Sequence, residues 1–515
     1  MAEIRGDYIG TTWDDFLIQP GAPIDDEKFT PEEVDISTDL AGVELQIPFL
    51  TAAMRSVTGK DLALAAGKLG MMGVAPRGLT IEREADIVRY VKGNAVKKGD
   101  IESESDPTTV RDTDTLAVAI AKARRRGHSN IPVVTRKADF VGMFQYIPSK
   151  HDNMDVSIPI KRVMQYYRAR GKRKPMDVCT TDMTDNQIKK YLKEKYSNSK
   201  DNIRFVPVID EVGRLDRLVF LQTTDDYKVG AAIDTHKGWE KRAEALIDAG
   251  ADIIFIDTSD AHKPFSREVI EKHAKIIKRY NEMGKDYPPI CGGNVVTPEA
   301  FDYLVEAGAK AVKSGMGPGS TCTTNQVLGV GAPPFDSLVE MAWRRDDYYL
   351  RKGIYISLIA DGGLKGTDNI NVALVFADAI MGANLFGCFF ESEGEWIDKN
   401  GNVLAKDKMN EDSIVKTRIY GEASQEAMET TGDMKRYTTP LSKDSRTTLQ
   451  GISGLLIYRG RFKPGVEGYT RTLQEAAYHV GAPDLKTYRS KAVLTRLSER
   501  SKETARPHSL DIIGD

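Results

Sequence analysis

Cysteine is scarce in this chain, with four residues in 515: Cys179, Cys291, Cys322 and Cys388. They are scattered and none forms a C-x-x-C pair, which excludes a disulfide framework. Charge of one sign is lacking as well. Lys plus Arg number 72 against 75 Asp plus Glu, a net charge of -3, so nothing draws the chain in bulk to nucleic acid or anionic lipid. No apolar run approaches the roughly 18 to 20 residues that cross a bilayer. The opening Met1-Ala-Glu-Ile-Arg-Gly-Asp carries no basic segment followed by an apolar stretch, so no secretory signal is expected. What is present is globular: 41% hydrophobic and 29% charged residues. At about 150 residues per domain the length predicts three domains, or one large domain and a smaller one. The expectation is a soluble protein of a reducing cytoplasm, with no membrane and no specific nucleic-acid partner.

One pattern dominates after residue 227. A short apolar run ends in small or polar residues, and an amphipathic helical stretch follows. Examples are Asp252-Ile-Ile-Phe-Ile-Asp257, Ala311-Val-Lys-Ser-Gly315, Ser357-Leu-Ile-Ala-Asp361 and Asp378-Ala-Ile-Met-Gly382. Between the first two, residues 298–307 are patterned as a helix, with Thr297 as N-cap and Gly308 as the stop. Such alternation indicates a parallel sheet flanked by helices. Adding 48–54, 71–75, 229–233 and 289–291 gives eight strands. The fold class read from the count is α/β, a (β/α)8 TIM barrel.

Residues 98–227 are too long for a loop and interrupt the pattern between the second and third strands. They hold two half-similar pieces. In each, an amphipathic helix (115–123, then 188–193) precedes a short strand pair, 131–134 with 140–144 and 205–209 with 218–221. An internal repeat inserted at a loop reads as a separate small domain. Its basic run from Arg168 to Lys174 reads as a solvated surface, since Tyr166 and Tyr167 alone make a thin stacking platform. The barrel is thus expected over 1–97 and 228–515. A polar, glycine-punctuated stretch at about 392–450 is expected as a long flap over the barrel mouth.

The most informative segment is Ser314-Gly-Met-Gly-Pro-Gly-Ser-Thr-Cys-Thr-Thr324. It follows a strand directly, so it lies at the C-terminal face where barrel enzymes place their sites. Its glycines let backbone approach a ligand or ion closely, and its carbonyls could ring a monovalent cation. Cys322 near oriented amides is a candidate nucleophile. A glycine-rich turn ending in a structural cysteine is the plainer alternative, but position and neighbours favour the nucleophile. The other three cysteines read as packing residues. Asp361-Gly-Gly363 closes the seventh strand and Gly382-Ala383 the eighth. Loops there commonly bind phosphate through glycine amides, and Asp361 is placed for a sugar hydroxyl pair, although tight turns alone would also use glycine. Asp257-Thr258-Ser259 and Asn294 suit a ribose, but a strand-terminal Asp serves equally as a helix cap.

At this point the residues carry a resemblance. Gly315-Met-Gly-Pro-Gly-Ser-Thr-Cys322 resembles the catalytic loop of the family of inosine-5'-monophosphate (IMP) dehydrogenases and GMP reductases. Thr12-Trp-Asp-Asp-Phe-Leu-Ile-Gln-Pro-Gly, Ala249-Gly-Ala-Asp252, Gly293-Asn-Val-Val-Thr and Ala360-Asp-Gly-Gly support it, over nearly the whole chain. The inserted pair is similar to the tandem CBS-type regulatory domain that the family carries in this place. Arg436-Tyr437, between Ala427-Met428 and Gln450-Gly-Ile-Ser-Gly454, resembles the Arg-Tyr pair of the dehydrogenase flap, whose reductase counterpart is shorter and lacks that pair.

The resemblance implies NAD-dependent oxidation of IMP to xanthosine 5'-monophosphate (XMP), in guanine nucleotide biosynthesis. Cys322 forms a thioimidate with the purine, and Arg436, Tyr437 and Thr324 activate the hydrolytic water. A guanidinium is a poor base at a pKa above about 12, so either a local field or a relay through Thr324 is required. By the same resemblance Ser320, Asp361, Gly363, Gly382, Ala383, Gln450 and Met54 bind the nucleotide. Asp257, Thr258, Ser259, Asn294 and Gly315 face NAD, and carbonyls of Gly317, Gly319 and Cys322 hold a potassium ion. A homotetramer is implied, with a purine nucleotide at the inserted module. There Thr223-Thr-Asp-Asp226 suits a ribose and phosphate but reads more readily as helix capping, and a structural spacer or a filament-forming contact is equally open. The chain departs from the family pattern at Ala52, Asn325, Ala383, Ile419 and Ala423, and Glu503-Thr-Ala-Arg-Pro-His508 matches the cation-binding end only loosely. An NADPH-dependent GMP reductase is the alternative, and a non-catalytic nucleotide sensor the third reading.

Overall fold

The computed structural model describes residues 10–24, 29–95, 99–126, 130–146, 151, 154–167, 176–198, 205–221, 227–282, 287–405, 411–427 and 449–505. The eight apolar runs form one sheet of eight parallel strands. These are β1 (Phe49–Thr51), β2 (Gly73–Ala75), β3 (Val229–Ile233), β4 (Ile253–Ile256), β5 (Ile290–Val295), β6 (Ala311–Ser314), β7 (Ser357–Asp361) and β8 (Ala379–Gly382). Neighbours follow chain order from β2 to β8, and β8 pairs with β1 through Ile380 and Phe49. A parallel bridge from Leu50 to Met72 closes the ring. The expected (β/α)8 barrel is the observed fold.

Most strand residues are buried on both faces, and this is why the strands read as continuous apolar runs rather than alternating ones. Inside the ring, Leu50, Met72, Ala232, Phe255, Cys291, Ile359 and Met381 form one hydrophobic cluster. The fifth strand is longer than the apolar run 289–291 predicts. It continues through Gly292 and Gly293, which pair with Val312 and Lys313 of β6, and a Cβ on Gly293 would sit 2.6 Å from the Lys313 Cβ.

The outer layer comprises α1 (Lys60–Lys68), α2 (Ile81–Gly93), α3 (Trp239–Asp248), α4 (Pro264–Glu282), α5 (Pro298–Ala307), α6 (Pro334–Lys352), α7 (Thr367–Ala373) and α8 (Phe462–Val480). In α5 the Thr297 hydroxyl accepts from Ala300 N, Pro298 opens the first turn, and Gly308 ends the helix at φ +118°. A hairpin of Thr38–Leu40 and Val43–Leu45 adds Leu40 and Leu45 to the interior cluster. Ala41 N in its turn donates to Ser357 Oγ at the start of β7, so the hairpin plugs the end of the barrel opposite the loops that follow the strands. None of the described helices is long and apolar enough to cross a membrane.

The chain divides into two compact units. One is Met1–Gly93, Lys228–Tyr458 and Tyr469–Asp515; the other is Asn94–Tyr227 with Arg459–Gly468. The second is built twice over. Val110–Arg111 runs parallel to Asn130–Val134, which pairs antiparallel with Phe140–Gln145. Cys179–Thr180 repeats this against Phe205–Ile209 and Leu215–Leu221. Helices Leu116–Arg126 and Asp185–Asn198 each cover one sheet, with Leu116, Ile131 and Phe144 in one core and Ile188, Val206 and Val219 in the other. The basic run from Arg168 to Lys174 and the segment Thr223-Thr-Asp-Asp226 lie outside the described residues.

The polar stretch at about 392–450 is not a structureless tail throughout. Glu395–Ile397 and Lys416–Tyr420 pair with each other, and Lys416–Tyr420 pairs with Ser453–Ile457.

Candidate active site

The loops at the C-terminal ends of the strands surround an open cavity of about 1000 Å³, mouth included. Cys322 lies in its wall, half-buried, whereas Cys179, Cys291 and Cys388 are buried. Burial pushes the Cys291 thiol up to about 12 and the Cys179 thiol up to about 11, so neither offers a thiolate at neutral pH. The expectation that they are packing residues agrees with this.

The loop after β6 is held by close backbone packing. Gly315 adopts φ +138°, and a Cβ there would lie 2.0 Å from the Asp361 carbonyl oxygen, so this position requires glycine. Asn294, in β5, donates from Nδ2 to Gly315 O at 2.7 Å and to Asp361 Oδ2 at 2.9 Å. Further along, Cys322 N donates to Gly319 O at 2.8 Å. The segment Gln450–Gly451 docks beside it: Thr323 N donates to Gln450 O, Cys322 bridges Gly451, and Ile452 N donates to Thr321 O. This places the Cys322 Sγ 3.1 Å from Thr324 Oγ1, whose hydroxyl donates to Gln450 Oε1 at 3.2 Å. The sulfur thus ends a hydrogen-bonded chain that runs through a hydroxyl to a carboxamide oxygen.

The same cavity is lined by a charged group that sequence patterning missed. Lys313, in β6, is buried; its Nζ lies 2.5 Å from Asp361 Oδ2 and 3.9 Å from Asp257 Oδ1. Burial alone would pull its ammonium below the ordinary range, but the Asp361 and Asp257 carboxylates outweigh that and hold it above. Arg77, after β2, answers Asp257 from the other side at 3.3 Å and Asp234 at 3.6 Å. Both carboxylates expected to hold sugar hydroxyls are therefore oriented by cations, and Asp257 does more than cap a helix.

Of the residues expected at the site, Cys322, Thr324, Gln450, Ser320, Asp361, Ala383, Met54, Asp257, Thr258, Ser259, Asn294, Gly315, Gly317 and Gly319 all line this cavity. Gly363 and Gly382 are not in its wall. A Cβ on Gly363 would meet Trp13 Nε1 at 3.1 Å, and one on Gly382 would lie 3.0 Å from the Leu385 side chain, so both glycines answer to packing. Ser320 Oγ accepts from Asn384 Nδ2, the residue after Ala383, which adds an amide to the region expected to hold phosphate. Arg436 and Tyr437 lie outside the described residues. Besides Lys313, the cavity has Glu422 and Thr321 in its wall. A lone lysine inside the apolar strand Ala311–Ser314 was the available signal for Lys313, since a buried lysine needs a paired charge. Glu422 and Thr321 carry no comparable signal in the sequence.

Comparisons with known proteins follow the same line. The family described as IMP dehydrogenase / GMP reductase domain matches residues 10–508. The inosine-5'-monophosphate dehydrogenase of Methanocaldococcus jannaschii is 30% identical, covering 98% of this chain and 96% of that protein. That of Escherichia coli is 28% identical, covering 97% and 96%. Among solved structures, GMP reductase from Trypanosoma brucei in complex with guanosine 5'-monophosphate superposes with a TM-score of 0.64 at 23% identity, covering 98% of both chains.

Proposed function

Because this chain belongs to the IMP dehydrogenase / GMP reductase family, a family of oxidoreductases, we propose that it oxidises IMP to XMP with NAD as hydride acceptor. The observation that carries the reading is the half-buried Cys322 thiol 3.1 Å from the Thr324 hydroxyl, in a cavity also lined by the Lys313–Asp361 pair. The full-length similarity to proteins named IMP dehydrogenase supports the dehydrogenase over the reductase.

In this proposal the Cys322 thiol gives its proton to solvent, the Thr324 hydroxyl 3.1 Å away hydrogen-bonds the sulfur, and the thiolate forms a bond to C2 of the purine. NAD, when bound, accepts the hydride that leaves C2. The resulting thioimidate is attacked by water, the C2–S bond breaks, and XMP leaves with one proton released in the net reaction. Arg436 and Tyr437 are assigned to the hydrolytic half on the resemblance alone. The Asp361 carboxylate, fixed by Lys313 and Asn294, would accept from the ribose hydroxyls. Ser320, with Asn384 beside it, would contact the phosphate.

The wall around Asp257, Thr258 and Ser259 fits NAD: a carboxylate stands beside two hydroxyls, and Asn294 Oδ1, buried there, has no partner. For potassium, Gly317, Gly319 and Cys322 share one loop. Gly319 O accepts from Cys322 N but keeps a second lone pair, so these carbonyls fit a monovalent cation that would stiffen the loop. The twofold-repeated module supports a CBS-type regulatory pair binding a purine nucleotide, and a homotetramer completes the reading.

The test is spectrophotometric. With IMP and NAD in potassium buffer, NADH should accumulate, and Cys322→Ala should reduce turnover to background. A swap to GMP with NADPH identifies a reductase if NADPH is consumed instead. A chain inert in both assays, whose Cys322 is also not trapped by a 2-chloropurine nucleotide, is a sensor rather than an enzyme.

A further inference from the structure

Behind the wall formed by Gly421–Ala423 lies an ion pair that the proposed chemistry does not use. Arg55 follows β1, and its guanidinium and the Glu422 carboxylate are each only 7% exposed. Arg55 binds the segment at three points. Its backbone N donates to Glu422 Oε1 at 2.6 Å, its Nε donates to Glu422 Oε2 at 3.1 Å, and its Nη2 donates to Ala427 O at 2.8 Å. The next residue adds two more bonds: Ser56 Oγ donates to Tyr420 O at 2.8 Å, and Tyr420 N donates to Ser56 Oγ at 3.1 Å. Residues 420–427 are thereby tied to the first barrel loop over most of their length.

The far side of that segment presses on the neighbours of the reactive thiol. A Cβ on Gly421 would lie 2.7 Å from Thr321 O, and a Cβ on Gly451 would lie 3.0 Å from both Ala423 C and Ser424 N. Thr321 precedes Cys322 in the chain, and Gly451 is the bridge partner of Cys322. There is no slack in this stack, because packed interiors transmit displacement rather than absorb it. A shift of Glu422 away from Arg55 must move the strip on which Cys322 sits.

We propose that Arg55 is a positioning residue: through Glu422 and Ala427 it sets the segment that fixes Thr321 and Gly451, and so the placement of the Cys322 thiol. This rests on the proposed function for its catalytic consequence, but not for its effect on the thiol. Reaction rates fall steeply when a reacting atom is displaced by about 1 Å, and a thiol held 3.1 Å from its hydroxyl partner is sensitive to such movement.

The experiment compares Arg55→Met, Arg55→Lys and the double variant Arg55→Met/Glu422→Met. Three quantities are read on the full chain: urea stability, the second-order rate of Cys322 alkylation by iodoacetamide located by peptide mapping, and kcat per titrated thiol. Arg55→Met removes the guanidinium that Glu422 and Ala427 share and should lose stability, and the double variant, which removes both charges of the pair, should recover it. A purely structural pair predicts that alkylation and turnover recover together with stability. A positioning role predicts that both stay changed by at least about tenfold in the double variant, with KM altered far less than kcat. Lysine should rescue only in part, since an ammonium can meet Glu422 but lacks the planar fork that also reaches Ala427 O. Alkylation and turnover within about twofold of the parent in the double variant would overturn the proposal. If the parent chain oxidises neither nucleotide, the proposed function fails, while the alkylation contrast still decides the role of Arg55.

Discussion

A lysine inside a barrel strand is costly unless its charge is answered, because an ammonium leaving water loses several kcal/mol of solvation. Lys313 is answered twice, by Asp361 and Asp257, and its ammonium links the two carboxylates. Lys313→Met should therefore leave the fold in place but uncouple them, with Asp361 held by Asn294 and Asp257 by Arg77. We expect kcat/KM for the nucleotide to fall about a hundredfold or more, while Lys313→Arg retains more activity. Full kcat/KM in Lys313→Met would show that the pair is only structural. A second buried group fixes a pH dependence. His273 on α4 is fully buried, donates from Nε2 to Pro288 O at 2.8 Å, and meets the Tyr287 ring at a tilt with centroids 4.9 Å apart. Burial lowers its pKa from 6.5 to about 4. Between those values the unfolded chain binds a proton that the folded chain refuses. The contribution of His273 is therefore whole above pH 6.5 and is lost as pH falls toward 4, by about 3 kcal/mol in all. His273→Gln should remove this dependence. Urea midpoints of parent and variant should thus converge on acidification, and a difference that stays constant with pH rejects the account. At this scale Cys322 was legible because its neighbours are unusual in type, whereas Lys313 hides in a run of four residues whose periodicity is that of any strand.

The element that concentrates function is the loop after β6, and its geometry is set by contact with the loop after β7. Gly315 is the position where the two meet, at φ +138° and with no room for a Cβ beside Asp361 O. Gly315→Ala must push this backbone apart. It should lower kcat by about a hundredfold while the far-ultraviolet circular dichroism spectrum stays that of the parent, because strand pairing from Ala311 to Ser314 does not depend on it. Activity within threefold of the parent would mean the loop tolerates the displacement. Element legibility follows burial. All eight barrel strands could be read, since residues enclosed on both faces are uniformly apolar. The three-stranded sheet of Glu395–Ile397, Lys416–Tyr420 and Ser453–Ile457 could not. Its edge strand Ser453–Ile457 alternates between exposed and half-buried, so its pattern carries little hydrophobic signal and resembles a loop. The hairpin at Thr38–Leu45 escaped for a different reason: three-residue strands around a tight turn offer too few positions for a period to register.

For the whole molecule the question is how a barrel accommodates a long insertion between its second and third strands without losing closure. Asp252, at the entrance to β4, holds both ends of the interruption. Lys92, at the end of α2, lies 2.9 Å from its carboxylate, and Lys228, just before β3, lies 3.9 Å from it. Val229 N donates to the same carboxylate at 2.8 Å, and β3 then pairs with β2 through Val229 and Gly73. The chain thus leaves and returns beside one side chain, and the barrel register is complete without any residue of the insertion. The cores of the repeated module, such as Leu116 with Phe144 and Ile188 with Val219, are likewise made of its own residues. Replacing 94–227 by a short Gly-Ser linker should therefore yield a folded barrel, because closing a gap that is already short costs little loop entropy. Turnover should stay within about tenfold of the parent, and any response of turnover to added purine nucleotides should vanish. The first turns of α8 through Gly468, which cluster with the module, should fray and exchange amide hydrogens faster, while Tyr469 onward stays protected. An insoluble product, or a soluble one whose β3 amides have lost protection, would show that the module is part of the fold rather than a guest within it.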